Sequence, residues 1–368
     1  MRIFSKSLFV LQVLLQTLIQ ISKKLIFGAK FLLLFLLVFL ESMLLIAEDE
    51  KKSIVLEYSL SNFEDAYVDA VDQLLIEHEK LSGQRLIPGN TQKVALKVNT
   101  RAGEGLSTPL NLVRAMIKSL ESRGFERHSI SIVDFSRVNL KNAGFYEKDK
   151  DGTFYFEDCP VVALNSLKYF EPDWYYDSPI PPLLKDRPYN QSNDFSFLDN
   201  EATPTFRKSF LPIPLLFEVD FWINLAVGVE DPTLGVDGAL ANASLWNVSN
   251  HLRFLANEST AAVAIAEILG IPEFNKHLIL HFVALEEFQF IGGPFYNSLY
   301  SRVQPKLWMS SDPVALDRLL VDLINRERRE NGFNELPTPY LQLSYASEIG
   351  LGEDSIESIT IQNINHEH

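Results

Sequence analysis

Between Lys93 and Phe135 the hydrophobic pattern changes period twice, which restricts the chain to a small set of folds. Lys93 to Val98 alternates apolar and polar residues, as a strand does. Asn99 to Gly105 is a glycine-containing loop. Ser107 or Thr108 then caps a helix with Pro109 at its start. An apolar stripe through Leu112, Val113, Met116, Ile117 and Leu120 runs to a stop at Gly124. Ser129 to Phe135 reads as the next strand. A strand–helix–strand unit favours parallel pairing through a right-handed crossover. The alternation recurs downstream. Strands are expected at Leu215–Val219, Phe221–Ala226, Lys276–Leu285 and Pro305–Met309. Helices are expected at Phe63–Lys80, Asn242–Leu255, Ser259–Leu269 and Pro313–Glu330. The expected fold class is therefore α/β, a mainly parallel sheet with flanking helices.

In such sheets ligands bind beyond the carboxyl ends of the strands. The Asn99–Gly105 loop, the loop after Ala226, the Glu286–Pro294 segment and the Ser311-Asp312 cap all follow predicted strands, so they are expected to converge on one edge.

Residues 1–50 stand apart from this body. Leu25 to Ala47 is apolar except for Lys30 and Glu41, and about 20 such residues span a bilayer. Lys23-Lys24 precede the run and Glu48-Asp49-Glu50 follow it, which leaves the N-terminus inside and sends the body across the membrane. An uncleaved anchor, a signal peptide cut near Ala47 and a translation start at Met43 all fit. The expected location is membrane-anchored outside the cytoplasm, or exported after cleavage. Residues 51–335 are expected to form the α/β domain, with an irregular, aromatic-rich insertion at about 148–214. Residues 336–368 are expected as an extension whose acidic end is mobile after Gly352.

The net charge is −15, and the body is more acidic still because Arg2, Lys6, Lys23, Lys24 and Lys30 lie in the leader. That excludes a nucleic-acid surface, which needs a basic patch. There is one cysteine, Cys159, so a cysteine-ligated iron–sulfur cluster cannot form within the chain. Cys159 reads as a buried structural thiol. No metal site is expected: His277 and His281, on one face of a strand, stand about 13 Å apart.

Several residues are candidates for ligand binding. Lys97, Asn99 and Arg101 surround the start of a helix, where an anion is favoured; the alternative is a solvated lysine and a turn-capping asparagine. Asp134 ends a strand, as ligand or as turn residue. Glu286-Glu287 follows a strand, as acid, base, metal ligand or solvated pair. Gly292-Gly293-Pro294 is a backbone device that permits positive φ. Ser311-Asp312-Pro313-Val314-Ala315-Leu316-Asp317 reads as a capped helix start, with Asp312 and Asp317 either at a site or simply structural. No catalytic residue is identified, since nucleophile-elbow glycines do not occur.

In this order the strings resemble the bacterial and archaeal family called domain of unknown function 362. The carriers are Lys97-Val98-Asn99, Thr108-Pro109, Asp134, Ile223-Asn224-Leu225, Gly292-Gly293-Pro294 and Ser311 to Asp317. The resemblance adds Asn224 and Asn242 to the ligand-binding candidates. Many relatives carry Lys-x-His after the Asn-Leu strand and a later Ala-Leu-Lys-Asn. Here Ala226-Val227-Gly228 and Ala239-Leu240-Ala241-Asn242 stand instead, so those lysines are missing. Some relatives hold a ferredoxin-like cysteine cluster, which this chain cannot. The expectation is an exported or membrane-tethered protein that binds or acts on a small anionic ligand, with the reaction unnamed. The alternative is a non-catalytic binding or cell-envelope interaction protein that has lost the family's lysines.

Overall fold

The computed structural model describes residues 52–61, 66–150, 152–181 and 207–364. The chain divides into two units, Met1–Lys51 and Lys52–His368, and only the second is described. The expected anchor or signal segment lies outside the described residues. Among the described residues no helix is long and apolar enough to cross a membrane.

In chain order the strands are β1 (Ser53–Ser59), β2 (Val94–Val98), β3 (Ile130–Asp134), β4 (Lys148–Lys150), β5 (Thr153–Phe156), β6 (Cys159–Ala163), β7 (Phe170–Asp177), β8 (Lys208–Pro212), β9 (Phe221–Asp231), β10 (Gly235–Asp237), β11 (Leu278–Gln289), β12 (Ser301–Arg302), β13 (Lys306–Ser310) and β14 (Ile359–Asn363). Twelve of them form one sheet with the order β14-β1-β13-β11-β9-β2-β3-β6-β5-β4, β10 lying on β9 and β12 on β11. The centre, β11-β9-β2-β3-β6, is parallel throughout. The fold is α/β with a mixed, mostly parallel sheet.

Helices cover both faces. Ala66–Ser82 and Leu110–Ser122 pack on one, where Val94, Leu96 and Val98 of β2 point. Ala239–Ala243, Glu258–Leu269, Pro313–Glu330 and Leu341–Glu348 pack on the other, against Ala95, Trp222, Ala226 and Val283. Both faces are buried, so β9 is buried along its whole length and is apolar on both faces apart from Asn224 and its terminal Glu230-Asp231, rather than cleanly alternating. After β2 the chain crosses one face to β3; after β9 it crosses the other to β11. The crossovers diverge between β2 and β9, and a crevice opens at such a switch point.

Several expectations are corrected. The Ser311-Asp312 cap does not share the site edge. β13 is antiparallel to β11, with Ser310 opposite His281, so its carboxyl end lies toward the amino ends of the parallel strands. Leu215–Val219 is not a strand; Pro214 sits in the first turn of a short helix, Ile213–Leu216. Asn242–Leu255 is not one helix. It is Ala239–Ala243 followed by two 3-10 segments, broken where Asn250 adopts φ 58°. The insertion is less irregular than expected: β4, β5 and β6 extend the main sheet, and β7 pairs with β8. Residues 182–206 of it are outside the described residues. The tail is also ordered past Gly352, because β14 finds backbone partners on β1 and Asp312 Oδ2 accepts the Glu353 N–H at 2.9 Å.

Candidate functional site

Lys97, Asn224, His281 and Ser310 occupy one row across β2, β9, β11 and β13, each paired in register with the next. Four polar residues in one row of a buried face need internal partners, because an unsatisfied buried group costs about 1–3 kcal/mol. Lys97, fully buried, donates three hydrogen bonds: to Val98 O (2.6 Å), Asp134 Oδ1 (2.8 Å) and Asn242 Oδ1 (2.7 Å). An ammonium has three donors and no acceptor, so these three acceptors saturate it. Burial lowers its pKa, and the Asp134 carboxylate opposes that.

The direction of the rest of the chain follows from groups that can act in only one way. Asn224 Nδ2 donates to Ala239 O (2.8 Å), a pure acceptor. Its Oδ1 therefore accepts from Asn242 Nδ2 (2.7 Å), which turns Asn242 Oδ1 to Lys97. The second hydrogen on Asn224 Nδ2 meets His281 Nδ1 (2.9 Å), so that nitrogen is the acceptor and the proton sits on Nε2. Burial holds His281 neutral, with its pKa lowered to about 3. One directed network, Asp134–Lys97–Asn242–Asn224–His281, thus ties four adjacent parallel strands to the Ala239–Ala243 helix.

Above this floor, at the carboxyl ends of β2 and β3, lies a cleft of about 450 Å3. It is lined by Asn99, Arg101, Asp134 and Asn242, and by Phe135, Ser136, Asn139, Asn165, Trp246, His251, Leu252, Leu255, Pro294 and Phe295. Thr108 helps shape it. Its hydroxyl does not cap the following helix, which starts from Pro109 without a side-chain cap. Instead it accepts the Asn99 N–H (2.8 Å) and donates to Leu225 O (2.6 Å), clamping β2 to β9. Asn99 Oδ1 accepts the Arg101 N–H at 3.1 Å, whereas its Nδ2, on a side chain only 2 % exposed, has no hydrogen-bond partner.

Arg101 is held from behind. Its Nη1 donates to Asp231 Oδ2 and Asp237 Oδ2, both at 2.9 Å, and its guanidinium lies 4.2 Å over the Trp246 ring. Burial works against the Arg101 charge, but Asp237 and Asp231 together raise its pKa. Trp246 Nε1 in turn donates to Asp237 Oδ1 at 2.8 Å. His251 Nδ1 donates to Val248 O (2.9 Å), since a carbonyl only accepts, and its ring meets Phe135 and Trp246 edge to face.

The Gly-Gly-Pro string borders this cleft. Gly292 adopts φ +82°. A Cβ at Gly293 would overlap the Glu230 carbonyl, and its N–H donates to Glu230 Oε2 at 2.9 Å. The tight turn lets Pro294 and Phe295 form the rim. Glu286 lies elsewhere, in an irregular stretch of β11 where the register with β9 slips between Ala284 and Phe288. It accepts from Tyr67 Oη at 2.9 Å, and burial raises its pKa. Asp312 is the helix N-cap, accepting the Ala315 N–H at 2.9 Å. Asp317 accepts Ala239 N–H (2.6 Å) and Leu240 N–H (2.9 Å). Of the sequence candidates, then, the fold gathers Lys97, Asn99, Arg101, Asn224 and Asn242 at or under one cleft, with Gly292 and Gly293 shaping its rim. Glu286, Asp312 and Asp317 are placed apart from it.

Sequence reasoning missed Phe135, Asn139, Asn165, Trp246 and Phe295. Phe135 and Phe295 directly follow the strand-terminal Asp134 and the Gly-Gly-Pro string, a signal that could have found them. Cys159 is buried, its thiol pushed up to about 12 by burial. Among the described residues no group of three or more His, Cys, Asp or Glu side chains is placed to hold a metal ion. No protein-family model, curated protein or solved structure matches the chain.

Proposed function

We propose that this chain is a binding protein that takes a small molecule into the cleft at the carboxyl ends of β2 and β3. The observation that carries this is Asn99 Nδ2, a buried amide donor without a partner on the wall of that cleft. Such a group is costly in an empty protein and is offset when a ligand oxygen accepts from it. A volume of about 450 Å3 also suits a small-molecule site. Binding is favoured over catalysis because Asp134, the carboxylate in the cleft, is engaged by Lys97, Thr100 and Phe135 rather than offered to a substrate.

Kinship with the domain of unknown function 362 family belongs to the same proposal. It is supported by the meeting of Lys97, Asn99, Asp134, Asn224 and Asn242, residues drawn from separate strings, at one place. The missing lysines favour a member that binds without reacting. The apolar run Leu25–Ala47 supports a body held outside the cytoplasm by residues 1–50, and an alkaline phosphatase fusion after residue 50 that stays inactive would remove that part.

A thermal-shift screen of the full chain against a mixed library of small metabolites tests the cleft. Compounds that raise Tm in the wild type are expected to lose their effect in Asn165→Trp, which fills the cleft from an exposed wall. Stabilisation unchanged in that variant places the ligand elsewhere and removes the reading.

A further inference from the structure

The cleft's chemistry narrows its occupant, on the premise that the cleft is the ligand site. Two cations lie nearest to it, and both face carboxylates: Lys97 has no donor left, whereas Arg101 gives its Nη1 to Asp231 and Asp237 and keeps its other N–H donors. Lys97 sits beneath the floor with its three donors used. Arg101 faces two carboxylates, Asp231 and Asp237, so the local charge around it is negative rather than positive. An anion entering here would lose its water and gain no uncompensated cation.

A cation is no better served. Asp134 accepts from Lys97 Nζ and Phe135 N–H on one oxygen and from Thr100 N–H and Thr100 Oγ on the other. Four hydrogen bonds fill the capacity of a carboxylate. Asp231 and Asp237 are likewise taken up by Arg101, by the Thr233 and Leu234 N–H groups and by Trp246. The charged groups in this region are bound to one another and hold the walls in place.

What the cleft offers a ligand carries no uncompensated positive charge. Asn99 supplies buried N–H donors, and Asn139 and Asn165 add amides that both donate and accept. Against these stands apolar surface from Leu252, Leu255 and Pro294, and the ring of Phe295, which is 71 % exposed at the rim. Phe135 has its ring committed to His251, with centroids 4.4 Å apart and planes at 90°. An exposed aromatic ring lining the same cleft as a set of amides fits a molecule with hydroxyls around its edge and C–H bonds on its face. A planar heterocycle would call for a second parallel ring, and the cleft's other rings are turned edge-on or covered.

We infer that the cleft binds a neutral saccharide, with Asn99 Nδ2 donating to a ring or hydroxyl oxygen and Phe295 covering the C–H face of the sugar.

Saturation-transfer NMR on the full chain, with glucose, galactose, N-acetylglucosamine, maltose and adenosine as separate probes, tests this. Phosphate and citrate are followed in parallel by thermal shift. At least one saccharide is expected to show transfer to its ring C–H protons. Its affinity is expected to fall at least tenfold in Asn99→Leu and severalfold in Phe295→Ala, whose rim position spares the fold. A saccharide signal unchanged in both variants overturns the inference. Transfer to adenosine alone, or a Tm response to phosphate or citrate alone, overturns the sugar class, and if Asn99→Leu abolishes that response the cleft remains the ligand site. No response to any of these compounds overturns the sugar and leaves the cleft without support as well.

Discussion

Asp134, at the floor of the cleft, and Asp317, behind the Ala239–Ala243 helix, are both buried carboxylates, and they are held in opposite ways. Asp134 meets a buried ammonium, a hydroxyl and two backbone N–H groups. Asp317 meets the Ala239 and Leu240 N–H groups, with Asp237 and Asp312 adding unfavourable charge nearby. Burial, the larger effect, raises the Asp317 pKa to about 7 from 3.8, despite the backbone donors. One carboxylate is locked by a countercharge; the other titrates near neutrality. The site is built over the first, whereas the helix that carries Asn242 rests on the second.

The sharpest way to break this contrast is to remove the countercharge. Lys97→Met leaves Asp134 buried without its cation and Asn242 Oδ1 without its donor, and should cost about 3–5 kcal/mol in urea unfolding. The Lys97→Met/Asp134→Leu double variant should lose clearly less than the sum of the two single variants. Full additivity would mean that the pair does not act as a unit.

The next effect is a pH dependence. The folded-state pKa of Asp317 lies above its unfolded value, so the native state holds more protons between about pH 4 and 7. Its contribution is fully present below the unfolded pKa and is lost as pH rises through about 7. Unfolding free energy should therefore fall with rising pH in this window, by up to about 1.4 kcal/mol per unit from this group. Asp317→Asn should make the slope shallower, with Asp237, Asp312, Glu230 and Glu286, whose pKa values burial also raises, contributing the remainder. An identical slope in wild type and variant would remove the contrast between the two carboxylates.

Asp312→Ala should cost about 1–2 kcal/mol, from the lost helix cap and the lost Glu353 N–H partner, and should leave ligand binding at the cleft unchanged. Loss of binding would return Asp312 to the site. Smallest of all, Cys159 should resist thiol reagents at pH 8 in the folded protein and react fully in urea, because burial keeps it protonated.

Much of the fold was legible. The Lys93–Phe135 unit, the Ser259–Leu269 helix and the Asp312-capped helix at Pro313 follow from period, caps and punctuation, which are local properties. The 242–255 stretch was misread because its apolar content reports burial and not helical continuity. Ser244 and Asn247 there donate to the nearby Leu240 and Asn242 carbonyls, Asn242 bonds the Asn224 and Lys97 side chains, and Asn250 donates to Lys208 O on β8. Glu286 and Asp312 looked equivalent to Asn99 because each follows a strand. Strand direction separates Asp312 from the rest, and direction is not written in a strand's own residues.

The chain alone determined that strands and helices alternate, that one thiol cannot ligate a cluster, and that Gly292-Gly293-Pro294 must make a tight turn, since each depends on residues near in sequence or on composition. Tertiary structure decided which side of the sheet each string reaches. Pairing β13 antiparallel to β11 carried Asp312 away, and stacking β3, β2, β9 and β11 in register brought Lys97, Asp134, Asn224, Asn242 and His281 into one network. The meaning of a charge depends on what faces it in space, so Lys97 and Arg101 read as anion ligands in one dimension and serve as internal countercharges in three.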